Sequence, residues 1–290
     1  GFVGSLCADF YRKNGNDVTI ITRRIPAELQ SWSRNFRVVE ADITDKSLDI
    51  SGDVIIHCAA MNETKNVSME EFMRVNAEGT KNVLEASVKN SVGKFVKVST
   101  FHVYGTTEGI ITEETVPDPK SSYAKSQLAA DNVCLDYSKE IDTSVIRLSN
   151  IFGPPIHPSI DRWTLVVNNF CLQASRDGKI TMKSRGDQKR DFISSYNALS
   201  AIDTVAKYKK SGEIFNAGGA TVMSIKEIAD RVASNFEILY RKKVKVIPGS
   251  NEENDSNFSY PIDKINRLGY VPRKDMDRTI KEILGMCDKK

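Results

Sequence analysis

No stretch of this 290-residue chain runs to about 18 consecutive apolar residues, so nothing in it reads as a membrane-spanning helix. No secretory leader pattern is read from it either. Charge of one sign is not concentrated anywhere. Lys+Arg 41 against Asp+Glu 38 leaves +3, without the clustered basic stripe that a nucleic-acid partner demands. Histidine is scarce, with three residues, and the five cysteines (Cys7, Cys58, Cys134, Cys171, Cys287) are far apart and show no C-x-x-C spacing. That excludes a disulfide framework and a metal site of the usual spacing, and the expectation is reduced, mostly buried thiols in a cytoplasmic protein with no metal. Internal repeats and low-complexity tracts are also absent. What remains, 40% hydrophobic and 27% charged, suits one large globular domain or two unequal ones.

The chain opens on Gly1-Phe2-Val3-Gly4, followed by a helix with Leu6 and Phe10 at i, i+4 spacing that Asn14-Gly15 should stop. Asp17–Thr22 then reads as a buried strand. Glycines, helix and strand in this order are the second half of a dinucleotide-binding βαβ unit, where glycine lets the backbone approach a pyrophosphate at a helix N-terminus. That strand ends in Thr22-Arg23-Arg24. An acid for the ribose 2′-hydroxyl is missing and a guanidinium for a 2′-phosphate is present, which favours NADP over NAD; the alternative is a pair of solvated arginines. Arg37–Ile43 reads as a further strand and its exit. Asp53–Ala60 is nearly all apolar and is expected to be buried on both faces, with small Ala59 and Ala60 admitting a cofactor at its end and His57 as a structural residue. Ser68 with Glu71 caps a helix running to about Val88. Val96-Lys97-Val98 forms a strand ending in Ser99-Thr100, and Ser122-Tyr123 opens another helix. A strand-end hydroxyl beside a helix-borne tyrosine is a proton-transfer pair.

These residues carry a resemblance over essentially the whole chain. Ser99-Thr100 with Val103-Tyr104-Gly105, then Tyr123-Ala124-x-Ser126, resembles the extended short-chain dehydrogenase/reductase family, and within it the NAD(P)-dependent nucleotide-sugar epimerases and dehydratases. Asn76-x-x-Gly79-Thr80, Arg147-x-x-Asn150-x-Phe152-Gly153-Pro154, Gln188-x-Arg190-Asp191-Phe192-Ile193 and Phe215-Asn216-x-Gly218-Gly219 resemble further motifs of it. The resemblance implies an α/β protein: a Rossmann-type doubly wound parallel sheet (residues 1–150 and 193–221) with a smaller α/β substrate domain (151–192 and 222–290). Gly1 and Gly4 match the last two glycines of Gly-x-x-Gly-x-x-Gly. The expectation is therefore that the chain is a fragment of a longer protein, whose first strand precedes Gly1. The resemblance implies cofactor contacts from Gly1, Phe2, Val3, Gly4, Arg23, Asp42, Ile43, Cys58, Ala59, Ala60, Asn76, Val98, Tyr123, Ser149, Asn150 and Ile151. It implies substrate contacts from Thr100, His102, Asn150, Gln188 and Arg190, with Asn76 bracing nearby backbone and Asp191 holding its segment's shape. A homodimer through the helices at 70–88 and 123–138 is also implied, as is a 155–163 loop over the sugar.

Two departures matter. The family's Tyr-x-x-x-Lys reads Tyr123-Ala124-Lys125-Ser126-Gln127, so glutamine stands at the lysine position. Gln127 can hydrogen-bond a ribose but brings no charge, and Lys125, about 200° round the helix, faces elsewhere. Tyr123 is then expected to stay nearer its ordinary pKa, and a Gln127→Lys variant to turn over faster. Second, the 4,6-dehydratases of this family place Asp-Glu after the Ser/Thr, where this chain has Phe101-His102. Dehydration is disfavoured, and His102, or less directly His157, becomes a candidate acid/base. The expected activity is hydride transfer at a carbon of a nucleotide sugar, by an epimerase or reductase using Thr100 and Tyr123. The rival is a catalytically impaired cofactor-binding pseudoenzyme, on the strength of Gln127. A steroid or small carbonyl as substrate is a third option, against which Arg190 and the Asn150 motif argue.

Overall fold

The computed structural model describes residues 1–250 and 257–287. Helix α1 (Phe2–Lys13) ends at Asn14, whose side chain donates to the Phe10 carbonyl, and Gly15 follows at φ +82°. Strands β1 (Thr19–Thr22) and β2 (Arg37–Glu40) pair in parallel. A second parallel sheet holds β3 (Val54–His57), β4 (Lys94–Thr100), β5 (Asp142–Leu148) and β6 (Glu213–Ala217), in the order β6-β5-β4-β3. Parallel strands joined by helical crossovers fit the expected α/β class.

The burial of these strands departs from the sequence reading. β4 and β5 are buried almost throughout, as their central place demands. β1 and β3, expected to be fully buried, are only partly so, and Val54 is 43% exposed. Among the described residues each of these two strands pairs on one edge only. Apolar composition signals a buried strand, but neighbours decide whether both faces and edges are covered.

Three consecutive helical pieces, Met69–Met73, the π-helical turn Arg74–Glu78 and Gly79–Lys89, form one rod, α2. Ser68 caps it by accepting from the Glu71 N–H at 3.2 Å. Helix α3 (Ser122–Asp136) is capped by Ser121, which accepts from the Ala124 N–H at 3.1 Å. Both lie against the sheet: Phe95 of β4, Val145 of β5, Val83 and Leu84 of α2 and Cys134 of α3 share one core cluster. Gly79 brings α2 close to Ile43 in the segment after β2, where a Cβ at position 79 would lie 2.8 Å from Ile43 Cδ1. All five cysteines are thiols, and all but Cys58 are buried.

A separate cluster gathers Phe152, Trp163, Phe170 and Ile180 with Ile228, Val232, Ile280 and Leu284. Around it lie helix Val166–Asp177, strand Lys189–Ser194, helix Ile225–Tyr240 with a full Ser224/Glu227 capping box, strand Lys245–Ile247 and helix Met276–Cys287. Residues 251–257, whose composition reads as a polar loop, lie outside the described residues except for Asn257. Phe258, Tyr260, Ile262, Ile265 and Tyr270 join a third cluster with Val96, Ile146 and Phe215 of the parallel sheet, although the sequence reading puts all of 222–290 with the smaller domain. Their apolar side chains cover the sheet face opposite α2 and α3, a long-range pairing that local periodicity does not encode.

Gly105 closes the turn after β4 at φ +68°, and a Cβ there would fall 1.7 Å from the Asp118 carbonyl oxygen. Gly15 has a similar φ with open space around it. Gly15→Ala should therefore cost only backbone strain, of order 1 kcal/mol. Gly105→Ala should cost clearly more, since the clash is with backbone. Urea unfolding of the two variants checks the difference.

Candidate active site

The carboxyl ends of β3, β4 and β5 bring the predicted residues together, where open α/β sheets bind their ligands. Thr100 ends β4, and its Oγ1 accepts from the His102 N–H at 3.3 Å, which starts the 3₁₀ turn Phe101–Tyr104. Tyr123 occupies the first turn of α3, with the Phe72 ring edge-on at 6.5 Å. Thr100 lies close enough to Tyr123 for its hydroxyl to act on the phenol. The Tyr123 pKa is pushed up to about 12, chiefly by burial and then by Glu63; Arg162 and the Thr100 hydroxyl act against this. The expectation of a value near the ordinary one is thus too low, because desolvation penalises the phenolate.

Gln127 is buried at 3% exposure, one turn along α3 from Tyr123 and on the same face. Its Oε1 accepts from Lys97 Nζ at 2.8 Å. Lys97 reaches across from β4, is 2% exposed, and forms an ion pair with Asp131 of α3 at 3.0 Å. Asp131, with no exposure, also accepts from Arg147 Nε of β5 at 3.0 Å. The charge absent from the helix is therefore present behind it. A lysine placed at 127 would face the Lys97 ammonium, so the gain expected from Gln127→Lys does not follow from helix position alone. Lys125 is exposed and turned away, as its spacing indicates.

Asn76 sits in the π turn, a helical defect often found at functional sites. It is 1% exposed, and its amide is committed: Oδ1 accepts from Met61 N at 2.7 Å, and Nδ2 donates to Met61 O at 3.1 Å and Ser126 Oγ at 2.9 Å. It braces the backbone beyond β3 against α3. Asp191 similarly knots its segment. It accepts from Ser149 Oγ, Gly219 N and Thr221 N, while Asn150 Nδ2 donates to its carbonyl at 2.9 Å. The Ser149 hydroxyl and one N–H of the Asn150 amide are thus committed to Asp191. Burial pushes the Asp191 pKa up, opposed by these donors.

The surface can accommodate a dinucleotide. Ala59 and Ala60 at the exit of β3 are exposed, Cys58 and Val98 half-buried, and no bulky side chain stands at these positions. Arg23 and Asp42, at the ends of β1 and β2, are near enough for the guanidinium to help depress the Asp42 carboxyl, after the hydrogen bond from Thr44 N. Ile43 lies against Gly79. Gly1 is exposed, Val3 and Gly4 half-buried, and Phe2 is buried with Leu29 and Ile160. The 155–163 loop, expected over the sugar, thus packs through Ile160 on the N-terminus of α1. His157 Nδ1 is engaged within a local turn by Ser159.

His102 keeps solvent access. Partial desolvation holds its pKa below the usual histidine value; Glu63 opposes this and Arg190 adds to it. Gln188 and Arg190 are half-buried on the facing strand segment. Glu63 and Arg162 were not read from the sequence, although both act electrostatically on Tyr123. Glu63 lies in a polar loop without a motif, and Arg162 in a loop that composition alone does not place.

Residues 1–218 match the model of the NAD dependent epimerase/dehydratase family. The chain belongs to this family. Similar proteins include a dTDP-glucose 4,6-dehydratase of Streptomyces niveus, 29% identical over 250 residues, covering 83% of this chain and 72% of the relative. A human dTDP-D-glucose 4,6-dehydratase is 28% identical, covering 89% of this chain and 76% of its own. In fold, the chain is similar to a Bacillus cereus UDP-glucuronic acid 4-epimerase solved with UDP-glucuronic acid and NAD (TM-score 0.82, 24% identity, 100% and 96% covered). It is also similar to a Helicobacter pylori ADP-L-glycero-D-manno-heptose-6-epimerase (TM-score 0.82, 24% identity, 100% and 94% covered). The family's members are NAD-dependent enzymes, which leaves the pseudoenzyme reading without support. Among the described residues no helix is long and apolar enough to cross a membrane.

His57, beneath this site, is buried and bonded to Thr80 Oγ1 at 3.1 Å; that hydroxyl donates to Asn76 O, so His57 Nε2 carries the proton. Burial, then Lys97, lowers the His57 pKa to about 3. Below about pH 6.5 the unfolded chain takes up a proton that the folded one refuses. Stability should therefore fall with pH between 6.5 and 3, by at most about 1.4 kcal/mol per unit from this group. Denaturant titrations at several pH values check this slope, which His57→Gln should flatten.

Proposed function

We propose that this chain interconverts or reduces a nucleotide-activated sugar by hydride transfer, as an NAD(P)-dependent epimerase or reductase. The observation that carries the reading is the placing of the Thr100 hydroxyl, at the carboxyl end of β4, beside Tyr123 in the first turn of α3. A bound nicotinamide dinucleotide supplies the hydride acceptor and donor. Thr100 polarises the reacting sugar oxygen, and Tyr123 takes or returns its proton. Arg190, near His102, holds the diphosphate, with Gln188 and Asn150 beside it. His102 is the candidate second acid/base at a sugar carbon, held neutral near pH 7 by its lowered pKa.

Relatives named as 4,6-dehydratases do not make this chain one. Phe101 is buried against His102, with ring centroids 4.3 Å apart, and no carboxylate occupies either of the two positions after Thr100. The preference for NADP rests on Arg23 and Arg24, both exposed at the end of β1. The division into a dinucleotide half (1–150 and 193–221) and a sugar half (151–192 and 222–290, apart from the 258–270 stretch) belongs to the same reading. So does a homodimer through α2 and α3.

Fluorescence titration with NADPH and NADH, alone and with a panel of nucleotide sugars, tests the proposal. NADPH should bind more tightly, with an affinity that changes with one nucleotide sugar. Arg23→Ala should weaken NADPH by roughly 10- to 100-fold and leave NADH nearly unchanged, as expected for one charged hydrogen bond. Tyr123→Phe should lower turnover of the responding sugar by at least about 100-fold, the usual scale of a positioned acid/base. Failure to bind either cofactor overturns the reading.

A further inference from the structure

We propose that Lys97, acting through Gln127, is the positioning residue that supplies this site with the positive charge that Tyr-x-x-x-Lys enzymes carry on the helix. This deepens the reading of Tyr123 as proton carrier and rests on it. Lys97 and Gln127 come from different elements, β4 and α3, yet the ammonium lies 2.8 Å from the amide oxygen and both side chains are shut away from solvent. An ammonium has only donors, so the contact fixes the amide orientation: Oε1 faces Lys97 and Nε2 faces away from it. Among the described residues no protein acceptor takes a hydrogen bond from that Nε2, and it is not sealed among the buried unpartnered atoms. It is left to donate to a ligand beside Tyr123, while the ammonium behind it polarises the amide. One helix-borne lysine, both charge and ribose donor, is here split into a charge on the strand and a donor on the helix.

Asp131 does not cancel the charge. Lys97 and Arg147 both pair with it, so the three buried groups sum to +1. The Lys97 field is felt at His57 and Cys134. The groups facing Tyr123 are Thr100 from β4, Asp131 from its own helix, Glu63 from the loop after β3 and Arg162 from the 155–163 loop. Removing Lys97 leaves Asp131 paired with Arg147 and Tyr123 opposite two carboxylates and Arg162. Because the remaining buried pair is neutral, Lys97→Met is a variant that can fold.

The test compares the wild type, Lys97→Met and the exchange Lys97→Met/Gln127→Lys. Tyr123 ionisation is read without cofactor, by ultraviolet difference titration against the matching Tyr123→Phe proteins. The pH profile of turnover is read with cofactor and the responding nucleotide sugar. Lys97→Met should raise the Tyr123 pKa by about one unit, move the pH profile the same way and lower turnover near pH 7 by about tenfold, and the exchange should restore all three. An unchanged Tyr123 pKa in a folded Lys97→Met protein, confirmed by circular dichroism, overturns the proposal, and so does an exchange that restores stability but neither pKa nor profile. A Tyr123→Phe protein that keeps full turnover defeats the underlying reading instead, and the cofactor-free ionisation still reports whether Lys97 sets the field there.

Discussion

Asp131 has no contact with solvent, and two cations from two neighbouring strands hold it there, Lys97 from β4 and Arg147 from β5. A buried carboxylate is costly unless it is paired and hydrogen-bonded, so α3 can dock in one register only, with Asp131 over both strands. That register sets everything above it. Tyr123 lies two turns nearer the helix start and Gln127 one turn nearer. Fixing Asp131 therefore fixes the height of the tyrosine hydroxyl against Thr100 at the end of β4. Arg147 also lies 4.8 Å from the centre of the Tyr104 ring, which ties the turn after Thr100 to the same cluster.

Other buried polar groups hold the rim in shape. Asn76 binds the backbone after β3 to Ser126 of α3, and Asp191 draws Ser149, Asn150, Gly219 and Thr221 to one point. Tyr104 and Tyr260 both reach Asn216 Oδ1, joining β6 and the 258–270 stretch to the turn after Thr100. Such fully satisfied networks contribute rigidity around the Thr100 and Tyr123 hydroxyls. Thr100, Tyr123, His102 and Arg190 stand on this scaffold.

Much of this is local in sequence and was legible there. The Ser224/Glu227 capping box, the Ser68 cap, the Asn14-Gly15 stop and the strand-then-helix order around Thr100 and Tyr123 depend on neighbours a few residues apart. Even the long-range match of Thr100 to Tyr123 follows once the parallel sheet is granted. The partial exposure of β1 and β3, the return of 258–270 to the main core, and Glu63 and Arg162 beside Tyr123 were not legible. Each depends on contacts between segments far apart in the chain, which a periodicity of two or 3.6 residues does not carry.

Residue 127 shows where the two sources of information divide. The sequence by itself determined the α/β class, the family, the hydroxyl pair and the loss of lysine from the helix, because these reside in residue identity and short spacing. The tertiary structure decided that the charge was not lost, because Lys97 lies 30 positions earlier, and only the docking of α3 on β4 puts its ammonium on the Gln127 amide. In one dimension Lys97 is a polar break in an apolar strand. Buried against Asp131 in three, it becomes a fixed charge in a low-dielectric interior, where its field reaches groups that water would have screened from it.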